Sequence, residues 1–267
     1  MDREESNGTC QSHEASAARF VARFAADEAE IMESLRLRYR VFAQELGARL
    51  ASASAGIDAD PFDVHCRHLV VRDSWSGEIV ASTRLLTDVE AAAAGGFYSQ
   101  GEFDLRFLGT LPGRKMEVGR TCVAPAFRNG AVIATLWSRL AACVVDEGID
   151  HLFGCASIGL DDGPDYAHAV MDYLTGNYLS PAAQRVKPFL AMPNGSSTGK
   201  PNPPPRLPPL LKAYVSLGAR ACGEAYWDQD FNCLDVFMLL DVASLEPRYR
   251  RRFLPASART DAIASAA

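Results

Sequence analysis

The chain has 267 residues, 48% apolar and 22% charged, with a formal net charge of −6; this is too rich in core-forming residues for a disordered chain, and the acid excess disfavours nucleic acid as a partner. Seven scattered cysteines, none spaced C-x-x-C, argue against a zinc site or a secreted disulfide framework and point to a cytoplasmic protein. No apolar run reaches the ~18 residues a membrane span needs, and the first residues lack the basic and apolar regions of a signal peptide.

Residues 1–26 are polar and rich in Ala and Ser and are expected to form a loose N-terminal tail, as are residues 256–267 at the other end. Residues 27–255 are expected to form one domain. Within it, residues 27–47 read as a helix, because Ile31, Leu35, Tyr39, Phe42 and Leu46 recur at spacings of three and four before Gly47. RHLVVRD and EIVASTRLL read as strands around a Ser-Gly turn, and GGFYSQGEFDL as a short helix or a loop. MEVGRTCVAP reads as a strand ended by Pro125, RNGAVIATLWSRLAACVVDEG as the longest helix and HLFGCASI as a further strand. A short helix is expected near DYAHAVMDYL. Residues 193–209 form a low-complexity loop holding seven of the fifteen prolines, and a loop that long in a compact domain is usually a lid, a binding loop or an excursion. LLKAYVSLGA and the strand-like LDVFMLLDV follow. This order is that of an α/β fold, a mixed central sheet with helices on both faces.

Several side chains in these elements are candidates for chemistry. On a helical wheel Arg38 falls within the apolar stripe while Arg36 and Arg40 point outward. It either snorkels at the edge of the stripe or is buried with a carboxylate, and the nearest carboxylates in sequence are Asp58, Asp60 and Asp63. That trio, in GIDADPFD, is a solvated Asx-rich loop, half of a metal site or a patch that pairs with arginines; it lacks the continuation of a calcium loop, which favours the last over metal. Glu117 and Arg120 lie three apart in a strand, on opposite faces unless a bulge at Gly119 intervenes. Arg84, in the preceding strand, either joins their surface or forms a cross-strand salt bridge. Arg128, Asn129, Gly130 and Ala131 open the longest helix, where free N–H groups and the helix dipole suit an anion.

The order strand, strand, strand, glycine-containing turn, long helix, strand resembles the Gcn5-related N-acyltransferase (GNAT) fold. The resemblance implies a thioester arm slipping between two splayed central strands, its phosphate on the helix N-terminus and a strand bulge offering an amide to the thioester carbonyl. The usual Arg/Gln-x-x-Gly-x-Gly/Ala loop is degenerate here, with Arg128 and Gly130 followed by Ala131, Val132 and Ile133. This favours the single phosphodiester of a carrier-protein phosphopantetheine arm over coenzyme A. Arg38 with Phe42, the run Asp58, Asp60, Phe62, Asp63, the strand Arg84, and Glu117 with Arg120 resemble the signature of acyl-homoserine-lactone synthases, with Asp58 where that family has Glu.

A closer resemblance, over about residues 30–254, is to the ornithine lyso-lipid synthases, L-ornithine Nα-acyltransferases. It is carried by RYRVFAQELGA, GIDADPFDVHCRHLVVRD, GGFYSQGEFDL, EVGRTCVAPAFRNGAVIATLWSRLA, LFGCASI, PPLLKAYVSLGA and DFNCLDVFMLLDV. It implies transfer of a 3-hydroxyacyl chain from acyl carrier protein to the α-amine of L-ornithine, the first step toward a phosphorus-free membrane lipid. No cofactor beyond the donor's phosphopantetheine arm, no metal and no nucleic-acid partner is expected. N-acylation needs a base, and Glu117 at the presumed bulge is preferred, directly or through water, with Asp60 as runner-up and the backbone from Arg120 to Cys122 facing the thioester carbonyl. Arg84 or Arg120 would bind the ornithine carboxylate, an aspartate among Asp58, Asp60 and Asp63 the δ-ammonium, and Arg38 would hold that loop. Phe97, Phe103, Phe107 and Trp137 are candidate walls of an acyl tunnel or plain core. Arg248, Arg250, Arg251 and Arg252 are a solvated helix end, or a basic patch for acidic carrier protein or anionic lipid on the inner face of the inner membrane. The alternatives are an acyl-homoserine-lactone-type synthase and a non-catalytic GNAT domain that binds acyl chains or carrier protein.

Overall fold

A computed structural model describes residues 18–192 and 203–245. Its eight strands are β1 (Phe20–Phe24), β2 (Arg67–Asp73), β3 (Ile79–Thr87), β4 (Arg114–Val123), β5 (Ile149–Gly159), β6 (Arg220–Ala221), β7 (Tyr226–Asp228) and β8 (Cys233–Asp241). They form one mixed sheet in the order β1-β2-β3-β4-β5-β8-β6, with β7 also on β8; β4 and β5 run parallel and every other pair antiparallel. The helices are α1 (Glu28–Tyr39), α2 (Asp88–Ala94), α3 (Ala131–Asp146), α4 (Pro164–Tyr178) and α5 (Pro209–Leu217).

Period-two alternation sets which face each helix covers. In β2, Leu69 and Val71 pack with Val132 and Leu136 of α3, while Val70 packs with Leu37 of α1. Helices therefore cover both faces, as the sequence implies. α1 starts at Asp27, whose side chain accepts from the Glu30 amide, and continues as a wider π turn through Arg40–Glu45 before Gly47 turns the chain at φ 74°.

Strand β1 lies among residues assigned by sequence to the N-terminal tail. Its short run, FVARF, is too polar to stand out, but backbone pairing to β2 and the ion pair of Arg19 with Asp73, 3.0 Å, tie it to the sheet edge. Residues 1–17 of that tail, the C-terminal tail, residues 193–202 of the proline-rich loop and the arginine cluster at 248–252 lie outside the described residues. GGFYSQGEFDL contains one 3₁₀ turn, Tyr98–Gly101.

The feature that positions everything else is the partial pairing of β4 with β5. Register pairs run only from Arg114–Ile149 to Glu117–Phe153, after which the two strands part. At the parting point a Cβ on Gly154 would lie 2.2 Å from the Val118 carbonyl oxygen, so only glycine lets the strands touch there. On the other side β4 keeps its pairing with β3 but inserts a residue: Ser82 faces Cys122 and Arg84 faces Gly119, leaving Thr83 opposite both Arg120 and Thr121. The expected bulge thus falls one residue after Gly119, at Arg120, whose φ of 52° is left-handed and costly for a residue with a side chain.

Gly154→Ala should destabilise the fold by about 1–3 kcal/mol through overpacking against Val118. Thermal melts should show a Tm several degrees below the wild type, whereas alanine at Gly101, which has open space around its Cα, should leave it nearly unchanged.

Candidate active site

The parted strands open two cavities. A polar one of about 270 Å³ is lined by residues including Arg84, Tyr98, Ser99, Glu117, Arg120, Cys155, Ser157, Asp228 and Asp235. An apolar one is lined by Leu136, Trp137 and Leu140 of α3, Leu152, Phe153, Tyr214 and Leu217 of α5, Met238 and Leu240, with Thr83 and Thr121 as its other polar side chains. Val118, Thr121 and Tyr214 line both, so the cavities meet where β4 leaves β5.

Behind one wall of the polar cavity, where Arg84 and Arg120 line it, lies an ion cluster of three guanidiniums and three carboxylates. Arg38, fully buried, donates Nε to Asp58 at 2.9 Å and its terminal nitrogens to Asp63 at 2.5 and 3.3 Å. Arg84, buried in β3, donates to Asp60 at 2.7 Å and Asp63 at 3.1 Å. Arg120 sits 3.3 Å from Asp58 and 3.6 Å from Asp60, and its guanidinium lies over the rings of Phe231 and Tyr98 at 4.5 and 5.0 Å. Of the two readings of Arg38, the buried ion pair is the one observed, and the aspartate loop is the patch that pairs with arginines. Burial works to raise the Asp63 carboxyl, but the neighbouring charges of Arg38 and Arg84 outweigh it and hold the group down to about 2. The buried His68 backs this loop: its Nε2 lies 3.0 Å from the Asp63 carbonyl oxygen, and burial lowers its pKa.

The bulge brings Glu117 and Arg120 to the same cavity. Glu117 is buried at the last register pair with β5. Its Oε2 accepts from the Tyr98 amide at 2.7 Å; its Oε1 accepts from the Ser99 amide at 2.9 Å and from the Ser99 hydroxyl. Full burial pushes the Glu117 carboxyl up, against the pull of these donors. Ser99 Oγ also lies 3.2 Å from Cys155 Sγ, which donates to Glu102 at 3.0 Å. Burial, with Asp235 nearby, lifts Glu102 to about 8. Burial, with Glu102 and Asp235 nearby, also raises the Cys155 thiol, which disfavours the thiolate.

At the start of α3, Gly130 caps the helix at φ 87° and the Ala131 amide donates to Asn129 Oδ1 at 3.2 Å. Arg128 is bound fork to fork by Glu45 at 2.5 and 2.7 Å. Ala131 precedes Trp137, which lines the apolar cavity, by about 9 Å along the helix axis. Among the tunnel candidates only Trp137 lines that cavity, stacked on Tyr214 with ring centroids 5.6 Å apart. Phe97, Phe103 and Phe107 are packed instead with Phe153 and Phe237 in a separate core.

Sequence reasoning missed Tyr98, Ser99, Tyr214, Asp228 and Asp235. Two signals were present: the polar run Ser82-Thr83-Arg84 inside an otherwise apolar strand, and the lone Asp235 in LDVFMLL. A polar residue in a strand buried on both faces needs a reason to be there.

Splayed parallel strands, one of them bulged, with a long helix following the bulged strand define an acyltransferase of the GNAT class, and residues 37–138 match the family model described as an acetyltransferase (GNAT) domain. An L-ornithine N(alpha)-acyltransferase of Rhodobacter capsulatus is 35% identical over 241 residues, covering 85% of this chain and 92% of that protein. One from Rhizobium meliloti is 34% identical over 260 residues, covering 87% of this chain and 83% of that protein. The chain belongs to the L-ornithine N(alpha)-acyltransferase family and is an acyltransferase. Among solved structures, an N-acyl amino acid synthase from uncultured soil microbes aligns with TM-score 0.49 and 15% identity, covering 90% of this chain and 98% of that one.

Two outcomes test the ion cluster. Arg38→Ala removes the shortest charged contacts of Asp58 and Asp63, leaving them Arg120 at 3.3 Å and Arg84 at 3.1 Å, and should cost about 3–5 kcal/mol in denaturant unfolding. Because the Asp63 pKa is depressed in the fold, its contribution is complete above the ordinary carboxylate pKa and is lost as pH falls toward about 2. The wild type should therefore lose stability between about pH 4 and 2, and Asp63→Asn should show a flatter acid limb.

Proposed function

We propose that the protein transfers a 3-hydroxyacyl chain from the phosphopantetheine arm of an acyl carrier protein to the α-amine of L-ornithine, giving lyso-ornithine lipid. The observation that carries this reading is the meeting of an apolar and a polar cavity at Val118, Thr121 and Tyr214: an acyl chain fits the first, an amino acid the second, and the thioester carbon their junction. Family membership supplies the acceptor, since the relatives at 34–35% identity are L-ornithine N(alpha)-acyltransferases.

In this reading the arm enters along the unpaired edge of β4, with its phosphate at the amides of Asn129, Gly130 and Ala131 and beside Arg128. Arg128 is already held by Glu45, which suits one phosphodiester better than several phosphates. The amides from Arg120 to Cys122 serve the thioester carbonyl as it gains negative charge. Thr83 and Thr121, whose hydroxyls lie 2.8 Å apart in the wall of an otherwise apolar cavity, are placed to hydrogen-bond a 3-hydroxyl two carbons beyond the carbonyl. Arg120, the guanidinium with the longest contacts, takes the α-carboxylate, while Arg84 and Arg38 hold the loop of Asp58, Asp60 and Asp63.

The α-amine loses a proton to Glu117, relayed by the Ser99 hydroxyl that already donates to it. The neutral nitrogen then forms the N–C bond, the C–S bond breaks, and the released proton ends on the pantetheine thiol. Asp60, whose buried Oδ2 faces Arg120 at 3.6 Å and accepts no hydrogen bond among the described residues, is the second candidate for the base.

Purified protein incubated with 3-hydroxyacyl carrier protein and ornithine should yield lyso-ornithine lipid by mass spectrometry. Lactone formation from S-adenosylmethionine, or tight donor binding without turnover, would overturn the reading. Thr121→Val should reduce the preference for 3-hydroxyacyl over saturated donors by about tenfold or more. Glu117→Gln should abolish turnover but also sets an amide NH₂ against the Tyr98 N–H. It is therefore paired with Ser99→Ala, which keeps the carboxylate and should lower kcat about 10²-fold without weakening donor binding; full activity in both would remove Glu117 as base.

A further inference from the structure

The three guanidiniums of Arg38, Arg84 and Arg120 are matched by the three carboxylates of Asp58, Asp60 and Asp63. Their charges cancel, and no loop aspartate is left over for a cationic substrate. Across the parted strands, however, the same cavity is lined by Asp235 of β8 and Asp228 at the end of β7, and neither has an ion-pair partner among the described residues.

Asp235 sits between Leu234 and Val236 in a strand buried almost throughout, and is itself only 6% exposed. Its Oδ1 accepts from the Ser157 hydroxyl at 2.6 Å and from Cys233 Sγ at 3.8 Å, and no hydrogen bond reaches its Oδ2 among the described residues. Asp228 Oδ1 accepts from the amides of Asp230 and Phe231, both at 2.9 Å. Potential ligand atoms of Asp228, Cys233 and Asp235 all lie within 4.8 Å of one another. Burying a carboxylate beside apolar neighbours without a counter-charge is expensive; an arriving cation would supply that charge. Burial, reinforced by Asp228, lifts the Asp235 carboxyl to about 6, while the Ser157 hydroxyl and the Arg120 guanidinium across the cavity pull it down.

We propose that Asp235, with Asp228 beside it, is the specificity-determining carboxylate that binds a second ammonium group on the acceptor. This rests on the acceptor reading above and assigns its δ-ammonium to the β8 side of the cavity instead of the Asp58–Asp63 loop. The acceptor then lies across the opening between the strands, carboxylate at Arg120 and side-chain ammonium at Asp235. Its α-amine is left between them, below the thioester. Selection acts through charge: an acceptor with a methyl group in place of the terminal ammonium leaves Asp235 buried and unpaired.

Steady-state kinetics with ornithine and norleucine, which replaces that ammonium by a methyl group, test the assignment in the wild type, Asp235→Asn and Asp228→Asn. The wild type should prefer ornithine in kcat/KM by at least about thirtyfold, the scale of a buried charge left unpaired. Asp235→Asn should raise the ornithine KM by a similar factor, keep kcat within a few-fold and lose most of the preference. Asp228→Asn should fall between. Wild-type protein that uses norleucine as well as ornithine overturns the proposal, with no variant needing to fold. So does a folded Asp235→Asn that keeps the wild-type KM and preference, or a divalent-ion requirement, revealed by EDTA and restored by Mg²⁺, that Asp235→Asn abolishes. In those cases the acceptor reading survives if ornithine is turned over; absence of ornithine product from the wild type overturns both.

Discussion

Everything in this molecule depends on two neighbouring strands that stop pairing halfway along. Backbone N–H and C=O groups in a sheet interior are costly to leave unmatched, so β4 and β5 stay apart only because other contacts hold them there. Gly154 brings the strands together at Val118 with no Cβ between them, the extra residue at Arg120 redirects β4, and the side chain of Arg120 is fixed by Asp58, Asp60 and two aromatic rings. Beside the parting lie a polar chamber and an apolar one that share Val118, Thr121 and Tyr214 as lining. A single irregularity in hydrogen bonding thereby sets two cavities side by side and leaves β4 amides with no partner on β5.

The ion cluster explains why that irregularity persists. A left-handed residue with a long side chain costs on the order of 1–3 kcal/mol, and breaking the contacts around a buried guanidinium costs at least as much. The cluster also ties α1 to the central strands, because Arg38 on the helix and Arg84 on β3 share Asp63. Charge cancellation inside the cluster leaves Asp228 and Asp235, on β7 and β8, among the cavity carboxylates without an ion-pair partner among the described residues, and on the proposed assignment this sets which end of a dibasic amino acid each wall accepts.

Much of the architecture was legible from residue patterns. β2, β3, β4, β5 and β8 are apolar runs bounded by turn residues, and α3 carries its apolar residues at helical spacing; each element lies within a residue or a few of where those patterns put it. β1, β6 and β7 were not legible, because short edge strands are held by their neighbours' backbone rather than by their own hydrophobicity. Arg38 could be placed in the buried stripe by its phase on the helix, but the wheel holds no information about what stands opposite. The bulge was anticipated at Gly119 and lies at Arg120, since glycine permits an irregularity while the ion pairs of its neighbour decide where it falls.

Composition, periodicity and motif spacing thus determined the α/β order, the place of Arg38 in the apolar stripe and the acidic loop, and the quoted motifs carried the family resemblance, all properties of local sequence or of residues a helical turn or a strand apart. Tertiary structure alone decided that Glu117 is wrapped by Tyr98 and Ser99, that Phe97, Phe103 and Phe107 are core while Trp137 faces a cavity, and that Asp228 and Asp235 face the guanidiniums across the gap. These are contacts between segments far apart in the chain, and their partners are chosen by how the sheet parts and which way each side chain then points, which no linear pattern encodes.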